Sequence, residues 1–275
     1  MPMSSDQDLP RELTRDERVK LERDVSLVSE FSKLKLDREA KRNWDLFYKR
    51  NTTRFFKDRH WTTREFEELC CDATSNETTK RVLFEVGCGV GNLFYPLLEE
   101  GSQFFVHACD LSPRAVQFVK EHPLFDVKKV HVFQCDVTES SLTDEIAAGS
   151  VDVATMVFVL SSISPHKMAW TLENVKNVLK VGGTLLFRDY GLYDYAMLRF
   201  GRGQKIEENF YVRQDGTRAY YFSLEKLREL ATMAGFEVTS CEYVHRETVN
   251  KKEGICAPRI FIQAKLMKNV PQAKR

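Results

Sequence analysis

The amino-acid sequence predicts an α/β protein built around a doubly wound sheet of mainly parallel strands. Between residues 82 and 187, five short apolar runs alternate with stretches of helical period. The first run leads into three alternate glycines, and the next two runs each end beside an aspartate. Because such a sheet binds ligands at the carboxyl ends of its strands, we expect the functional site at that edge.

The glycine turn after the first strand is the most informative stretch. Gly87, Gly89 and Gly91 follow the apolar run 82–86 and let the backbone turn tightly and approach a ligand closely. A dinucleotide site needs a further glycine where this chain has Asn92. The Glu85 carboxylate would repel a pyrophosphate but suits a ligand that carries an ammonium group. The alternative is a turn that binds nothing.

The pattern Glu85-Val-Gly-Cys-Gly-Val-Gly resembles the first motif, E/D-x-G-x-G-x-G, of class I S-adenosylmethionine-dependent methyltransferases. This resemblance implies a Rossmann-like, seven-stranded α/β fold and S-adenosyl-L-methionine as the cofactor. Glu85, Gly87 and Gly89 are then cofactor-binding residues, with Gly87 beneath the methionine portion.

The second and third strands, predicted at residues 104–109 and 130–135, bring further acidic residues to the same edge. Asp110 lies about 20 positions after the glycine turn, where a carboxylate can accept hydrogen bonds from both hydroxyls of a ribose. Asp136 and Val137 follow the third strand, where an acceptor and an apolar side chain suit an adenine. A turn or helix-cap role is the alternative for Asp136.

The remaining elements complete a seven-stranded sheet. A fourth strand is predicted at 151–160, with Val157 toward its ligand-facing end, and a fifth at 184–187. Residues 192–222 form an insertion that contains a hairpin turning at Asp215-Gly216. The predicted helices cover 93–99, 164–180 and 223–234, another starts at Ser112-Pro113, and the last, antiparallel strands cover 236–243 and 259–265.

An N-terminal extension precedes the domain of residues 81–275. Residues 1–12 are polar and aperiodic, which predicts a disordered tail. The extension, 13–80, begins with a helix predicted over 16–36 that buries one apolar stripe. A second helix, 38–49, makes Trp44 and Tyr48 neighbours. Their rings belong either to the core or to a lid over the cofactor.

The composition indicates a soluble globular protein. The chain has 275 residues, of which 43% are hydrophobic, enough to bury a sizeable core. Its seven cysteines are odd in number and show no C-x-x-C spacing, which argues against a disulfide framework or a metal site. No apolar run is long enough to span a membrane, and the polar start is not a secretory signal. We expect a cytoplasmic protein that is also found in the nucleus.

Positive charge is concentrated in the regions that flank the sheet. Residues 33–64 contain 11 Lys and Arg against 4 Asp and Glu, a net charge of +7, whereas residues 81–187 contain 8 against 12, a net charge of −4. Aromatic residues are interleaved with the basic ones between 44 and 61, as in surfaces that bind single-stranded nucleic acid. The alternative is an ordinary solvated face.

Two longer stretches resemble the methyltransferase-like family that makes 3-methylcytidine in transfer RNA. The similarity extends over roughly residues 40–265, and these strings are far more specific than the glycine turn. The strings are Trp44-Asp-Leu-Phe-Tyr-Lys with Phe55-Phe-Lys-Asp-Arg-His-Trp, and Phe187-Arg-Asp-Tyr-Gly-Leu-Tyr-Asp with Asn209-Phe-Tyr-Val-Arg-Gln-Asp-Gly-Thr-Arg.

The resemblance assigns roles to individual residues. It implies that Trp44 and Tyr48 cover the cofactor as a lid and that Val157 lines its pocket, while Asp110, Asp136 and Val137 hold the ribose and adenine. It also implies contacts with the acceptor RNA. These contacts are expected from Phe56, Lys57, Arg59, His60, Arg199, Arg202, Arg213 and Arg218.

Arg188, Asp189 and Tyr190, at the end of the fifth strand, are the candidate catalytic residues. Cytosine N3 carries an in-plane lone pair, so it attacks the sulfonium methyl without first losing a proton. Catalysis then consists of positioning and of receiving the positive charge that moves to the base. We expect Asp189 to face that charge and Tyr190 to stack on the base or hydrogen-bond to it. A structural pairing of Asp189 with Arg188 is the alternative.

The resemblance implies cytidine 32 of the anticodon loop as the target, in serine transfer RNAs, with seryl-tRNA synthetase as a partner that supplies selectivity. No metal is expected. Two other functions stay open from the residues: a methyltransferase that acts on a protein or small molecule, and a non-catalytic subunit that binds RNA. Salt-sensitive competition by bulk transfer RNA would argue against the first, and cofactor binding against the second.

Overall fold

Seven strands form one sheet in the computed structural model, which describes residues 10–70, 80–250 and 255–269. In chain order the strands of this part of the molecule are β1 (Val82–Val86), β2 (Phe105–Asp110), β3 (Val130–Gln134), β4 (Val151–Val157), β5 (Leu179–Tyr190), β6 (Lys205–Glu207), β7 (Phe210–Val212), β8 (Arg218–Tyr220), β9 (Glu237–Asn250) and β10 (Ile255–Met267).

The order of the sheet, β3-β2-β1-β4-β5-β10-β9, positions the functional site. Strands β1 to β5 pair in parallel, and β10 runs antiparallel to both β5 and β9. The predicted α/β class and seven-stranded sheet are therefore confirmed. The chain proceeds from β1 toward one edge and returns at β4 on the other side of β1. Ligands of doubly wound sheets bind at this switch point.

Helices cover both faces of the sheet. In chain order they are α1 (Arg15–Arg23), α2 (Glu30–Arg38), α3 (Ala40–Asn51), α4 (Thr62–Glu65), α5 (Phe94–Glu99), α6 (Pro113–Lys120), α7 (Pro165–Val178) and α8 (Leu224–Met233). Side chains alternate across a strand, so Leu83 shares a core with Val116 of α6, whereas its neighbour Phe84 shares the opposite core with Leu172 of α7.

The prediction of a single helix over residues 16–36 is wrong, because the chain forms two helices there, α1 and α2. Ser29 caps α2 by accepting a hydrogen bond from the Ser32 backbone. The segment before it instead pairs with β6, and the Val28 N–H donates to the Lys205 carbonyl over 2.9 Å. The expected buried stripe is also wrong, since Phe31 is 74% exposed. The helix predicted over 38–49 is confirmed as α3.

The insertion folds into a small antiparallel sheet of its own, β6-β7-β8. The hairpin turn predicted at Asp215-Gly216 is confirmed between β7 and β8. The Asp215 carboxylate accepts from the Thr217 N–H over 3.0 Å, and Gly216 has φ +81°. Tyr211 and Tyr221 are buried in the core of this insertion.

Part of the predicted N-terminal tail, residues 1–9, lies outside the described residues. Within the tail, Arg11 pairs with Glu17 over 2.7 Å and donates to the Tyr193 carbonyl. None of the described helices is long and apolar enough to cross a membrane. The described residues also contain no cluster of three or more His, Cys, Asp or Glu side chains suited to a metal ion.

Candidate cofactor and acceptor sites

A cavity of about 770 Å³, including its open mouth, lies at the carboxyl ends of β1, β2 and β4. Helix α3 and the non-helical segment that follows it, both in the N-terminal extension, contribute Trp44, Tyr48, Phe56 and Arg59 to its lining. The structure brings eight predicted cofactor residues together in its lining: Trp44, Tyr48, Gly87, Gly89, Asp110, Asp136, Val137 and Val157.

The glycine turn forms the floor of this cavity, and its backbone requires glycine. Gly87 and Gly89 have φ +62° and +55°, in the left-handed region. A Cβ atom on Gly89 would lie 2.8 Å from the Tyr48 hydroxyl, and one on Gly87 would lie 2.5 Å from Val159. The floor and the lid are therefore packed directly against each other.

Asp110 is buried beside the floor. Its carboxylate accepts hydrogen bonds from the backbone N–H groups of Gly89, at 2.9 Å, and Ser112, at 2.8 Å. Burial raises the pKa of Asp110 to about 6, and these N–H groups oppose that rise. The carboxylate is consequently ionised at neutral pH and can accept hydrogen bonds from ribose hydroxyls.

Asp136 both shapes a turn and faces the cavity. One oxygen, Oδ1, accepts from the Thr138 backbone N–H at 2.9 Å and from its hydroxyl at 2.7 Å. Oδ2 takes no part in these two bonds, so an exocyclic amine can donate to it. Val137 follows directly and supplies an apolar wall for a flat ring. The two roles considered for Asp136 are compatible in this geometry.

Glu85 lies beneath the cavity and does not contribute to its lining. The side chain is 3% exposed, and its Oε2 atom has no hydrogen-bond partner among the described residues. Burial raises the pKa of Glu85 to about 8, against the opposing charge of Arg59 and a bond from the Phe94 backbone. A buried acid without a full set of partners fits a ligand that brings an ammonium group.

Arg59 lies in the cavity wall. Its Nη1 atom donates to the Val157 carbonyl over 3.2 Å, and its charge acts on Glu85. A guanidinium at this point suits the carboxylate of an amino-acid ligand. Of the other predicted RNA contacts in this segment, Phe56 also lines the cavity, whereas Lys57 and His60 are exposed. His60 lies 3.0 Å from the Glu100 carboxylate.

Helix α3 is fixed over the cavity by Asp45. Its carboxylate accepts from the Ser112 hydroxyl at 3.0 Å and from the Arg114 backbone N–H at 3.2 Å, at the N-terminus of α6. A negative charge is favourable at a helix N-terminus. Trp44 and Tyr48, on either side of this anchor in the sequence, are held against the cavity.

The candidate catalytic residues are tied into the protein. Arg188 is buried, pairs with Glu65 over 2.6 Å, and lies 4.3 Å above the Trp61 ring. Asp189 is fully buried and accepts from the backbone N–H groups of Ser161 and Tyr190, each at 2.9 Å. Burial raises the pKa of Asp189 to about 6. Neither Arg188 nor Asp189 lines the cofactor cavity.

Tyr190 approaches the cavity through Phe158. The two ring centroids are 5.1 Å apart, and Phe158 itself lines the cavity. Phe158 has φ +62°, an unfavourable conformation for an aromatic residue and one that occurs preferentially at functional sites. The Tyr190–Phe158 pair therefore links a candidate catalytic residue to the wall of the cavity.

The structure separates the four predicted arginines of the insertion. Arg199 and Arg202 are exposed, and Arg213 lies 5.6 Å from the Tyr190 ring. Arg218 is 7% exposed and points inward. It pairs with Asp37 and donates to the Ser164 hydroxyl, both at 2.7 Å.

Several residues that line the cavity were not predicted as site residues: Asn92, Leu111, Thr138, Phe158, Val159, Ser162 and Ile163, besides three cysteines. Phe158 and Val159 lie within the strand predicted at 151–160, next to Val157 at its ligand-facing end, so the same signal that indicated Val157 applies to them. Ser162 and Ile163 belong to a short 3₁₀ turn and its end. Nothing in the local sequence indicates that this turn reaches the cavity.

Comparisons with known proteins agree with this site. A family model described as a methyltransferase domain matches residues 84–185. The chain is 56% identical to a human protein named tRNA N(3)-cytidine methyltransferase METTL6, over 94% of this chain and 90% of that one. It is 41% identical to tRNA N(3)-methylcytidine methyltransferase trm141 of Schizosaccharomyces pombe, over 87% and 96% of the two chains.

Solved structures share the fold at low sequence identity. A methyltransferase from Anabaena variabilis, described as S-adenosylmethionine-dependent, aligns with a TM-score of 0.60 at 15% identity, over 84% of this chain and 95% of the other. The fold, the acidic residues at three strand ends and the similarity to the curated relatives agree. The chain is an S-adenosylmethionine-dependent methyltransferase and belongs to the tRNA N(3)-cytidine methyltransferase family.

Proposed function

We propose that this protein methylates N3 of cytidine 32 in the anticodon loop of transfer RNAs, with serine transfer RNAs as substrates. One observation carries the proposal: Phe158, in the wall of the cofactor cavity, contacts the Tyr190 ring, and Tyr190 in turn contacts Tyr221 of an insertion whose surface carries Arg199 and Arg202. A relative from Saccharomyces cerevisiae, 40% identical over 89% of this chain and 39% of its own, is named tRNA(Thr) (cytosine(32)-N(3))-methyltransferase. Its name supports position 32 but gives a different transfer RNA.

The residues of the cavity fit S-adenosylmethionine. Asp110 would accept from the ribose hydroxyls, and Asp136 with Val137 would hold the adenine. Glu85 and Arg59 would bind the amino-acid end, because they offer opposite charges to its ammonium and carboxylate groups. When bound, the cofactor supplies a methyl group on a positively charged sulfur. The lid residues Trp44 and Tyr48 would exclude water from that group.

The chain's own contribution to catalysis is positioning and electrostatics. N3 of cytosine is paired in a duplex, so the base must be unpaired or flipped out to reach the cavity. Tyr190 would hold it by stacking or by a hydrogen bond. Asp189 lies directly behind the Tyr190 backbone, and its negative charge would favour the cationic base that forms. Both of its oxygens are already bonded to backbone N–H groups, so its action is through charge and through the position of Tyr190.

Nucleoside mass spectrometry of separated transfer RNA species tests the proposal. Purified protein with S-adenosylmethionine is expected to form 3-methylcytidine in serine transfer RNAs, and Asp110→Ala is expected to abolish it. Fragment mapping would then place the product at position 32. Formation of 3-methylcytidine in no fraction would overturn the proposal. Formation only in other transfer RNAs would overturn the serine assignment alone.

A selectivity partner is the second part of the proposal. We propose that seryl-tRNA synthetase presents the serine transfer RNA to this enzyme. Adding the purified synthetase is expected to raise the rate on serine transfer RNA at limiting enzyme and to leave the rate on a stem-loop fragment unchanged. Equal rates with and without the synthetase on both substrates would contradict it.

A further inference from the structure

A second cavity lies beside the cofactor site, between the insertion and strands β9 and β10. It measures about 1460 Å³ including its open mouth. Among the residues that the structure describes, three arginines and one carboxylate, that of Asp215, line it. Its aromatic and cationic lining consists of Tyr195, Arg199, Phe200, Arg213, Tyr221 and Arg259.

This second cavity is connected to the methyl-transfer site by a row of aromatic rings. The centroid of Tyr190 is 5.1 Å from that of Phe158, in the wall of the cofactor cavity, and 5.6 Å from that of Tyr221, in the wall of the second cavity. Phe200 continues the row, 6.2 Å beyond Tyr221. A base held at Tyr190 would therefore have the second cavity as its immediate neighbour.

The chemistry of the lining suits a nucleotide. Each arginine lies over an aromatic ring: Arg199 is 5.6 Å from Tyr195, Arg213 is 5.6 Å from Tyr190, and Arg259 is 5.1 Å from Phe261. Planar guanidinium groups and aromatic rings stack on bases, and guanidinium groups also bind phosphate through paired hydrogen bonds. One cavity thus offers partners for both parts of a nucleotide.

The Tyr221 hydroxyl is an independent indication of a ligand. Tyr221 has no exposed surface, and its hydroxyl has no hydrogen-bond partner among the described residues. Buried hydroxyl groups without partners are unfavourable and uncommon in folded proteins. Burial raises the pKa of this hydroxyl, and the positive charges of Arg213 and Arg259, which line the same cavity, oppose that rise. A polar edge of a base that enters the cavity would supply the missing partner.

We propose that this second cavity binds a nucleotide of the substrate RNA adjacent to the target cytidine, with the base against Tyr221 and the phosphate at Arg199. The inference rests on the proposed function, because it takes the target base to lie at Tyr190. With this second nucleotide, the enzyme recognises more of the RNA than the base that it modifies. Tyr221 is then a specificity residue rather than a catalytic one.

Equilibrium binding of a fluorescent stem-loop RNA tests the inference. The protein is saturated with S-adenosylhomocysteine, so that no methyl transfer occurs, and each loop nucleotide is made abasic in turn. We expect one abasic position next to the target cytidine to weaken binding to the wild-type protein about tenfold. Tyr221→Phe is expected to weaken binding of the intact RNA about three- to tenfold without lowering the melting temperature, because it removes an unpartnered hydroxyl.

The combination of the two changes identifies the contact. If the base meets Tyr221, the abasic RNA binds Tyr221→Phe and wild type with nearly equal affinity. Tyr211→Phe is the matched control, since Tyr211 stacks on Phe200 at 4.7 Å but does not line this cavity, and it should not change RNA affinity. In Arg199→Ala, RNA affinity should fall less steeply with salt concentration than in the wild type, by the amount expected for the loss of about one phosphate contact.

Two results would overturn the proposed pocket. One is that Tyr221→Phe binds the RNA with unchanged affinity. The other is that the losses of binding free energy caused by Tyr221→Phe and by the abasic nucleotide are additive when the two changes are combined. The proposed function is judged separately, by the yield of 3-methylcytidine from wild-type protein. A protein that binds the loop through this cavity but forms no 3-methylcytidine would refute the function and retain the pocket.

Discussion

Two ionisable groups beside the cofactor cavity, the buried Glu85 and the partly exposed Arg59, suit the amino-acid end of a ligand better than a phosphate. Each charge is costly to bury, and each partly offsets the cost of the other. The Glu85 Oε2 atom nevertheless has no hydrogen-bond partner among the described residues. An amino-acid end supplies an ammonium for Glu85 and a carboxylate for Arg59, whereas a pyrophosphate would supply only negative charge.

Cofactor binding is expected to depend on pH through Glu85. In the free protein the pKa of Glu85 is raised to about 8, and an ammonium bound beside it would lower that pKa. Binding below pH 8 therefore releases a proton. The affinity for S-adenosylhomocysteine should rise with pH, by up to about tenfold per unit, and level off near pH 8.

Titration calorimetry in two buffers of different ionisation enthalpy measures this proton release directly. Glu85→Gln removes the titrating group and should remove the part of the pH dependence that it causes. The amine of the ligand titrates equally in both experiments, so the difference between the two proteins isolates Glu85. An identical pH dependence in both proteins would show that another group is responsible.

Gly89→Ala is expected to weaken S-adenosylhomocysteine binding more than it lowers the stability of the fold. The backbone there has φ +55°, so alanine should cost about 1–2 kcal/mol in the free energy of unfolding. The new Cβ would also lie 2.8 Å from the Tyr48 hydroxyl and displace the lid. Gly101→Ala is the matched control, with φ +89° and no atom within 4 Å of its Cβ.

Both glycine variants should lose similar stability in chemical denaturation. In calorimetry, Gly89→Ala should bind S-adenosylhomocysteine at least about tenfold more weakly, while Gly101→Ala should bind as the wild type does. Equal affinity in the two variants would mean that Tyr48 does not need its position against the glycine turn.

Among the elements, helix α3 depends on one side chain for its position. The Asp45 carboxylate accepts hydrogen bonds from Ser112 and Arg114 at the start of α6, just after Asp110 of the cavity lining. Asp45→Ala should lower the free energy of unfolding by about 1 kcal/mol, because the N-terminus of α6 loses two hydrogen bonds and a favourable negative charge. It should also weaken S-adenosylhomocysteine binding several-fold, because Trp44 and Tyr48 would be held less firmly.

Asp16→Ala in α1 provides a comparison, since it removes an acidic residue from the first turn of another helix of the extension. Thermal denaturation and calorimetry on both variants separate the two effects. If Asp45→Ala lost stability while keeping wild-type affinity, α3 would be a structural support without a role as a lid.

Arg218 joins three elements rather than presenting its charge to solvent. Its guanidinium links β8 to Asp37 in α2 and to Ser164 before α7. Arg218→Met should lower the free energy of unfolding by about 2 kcal/mol, between the values for surface and for buried pairs, because Asp37 remains partly exposed.

RNA affinity tests which role Arg218 has. In folded protein, Arg218→Met should bind the stem-loop RNA within about twofold of wild type, and Arg199→Ala should bind it clearly more weakly. The opposite ranking in a fluorescence titration would restore Arg218 as a direct RNA contact.

The sequence predicts those elements whose residues carry a local pattern. The five parallel strands are apolar runs, and the glycines and strand-end acids occupy fixed positions relative to them, so the sheet and eight residues of the cavity lining could be predicted. The break between α1 and α2 could not, because it depends on Leu27 pairing with Lys205, far away in the chain. The inward position of Arg218 could not be predicted either, because it depends on Asp37 and Ser164, which are also distant in the chain. Nothing local to Arg59 shows that it reaches Val157 in the cavity wall.

At the scale of the whole molecule, α3 lies between the cofactor cavity and the insertion. One part of it covers the cavity with Trp44 and Tyr48. Its Asn43 side chain donates to the Gly216 carbonyl over 3.1 Å, and Arg50 lies 3.8 Å from Asp215 in the same turn. The hairpin turn of the insertion therefore contacts the same helix that contributes Trp44 and Tyr48 to the cavity.

Because one helix contacts both regions, cofactor and RNA binding should be coupled. Saturating S-adenosylhomocysteine is expected to raise the affinity for the stem-loop RNA about fivefold, and the RNA must raise the affinity for S-adenosylhomocysteine by the same factor. Asn43→Ala removes the contact with the hairpin turn, and Asn43 does not line the cavity. This variant should reduce the coupling factor toward one. Its affinity for S-adenosylhomocysteine in the absence of RNA should equal that of the wild type. Lys41→Ala, on the same helix but directed toward Gln134, should keep the coupling. A factor of one in the wild-type protein would show that the two sites bind independently, despite the helix that they share.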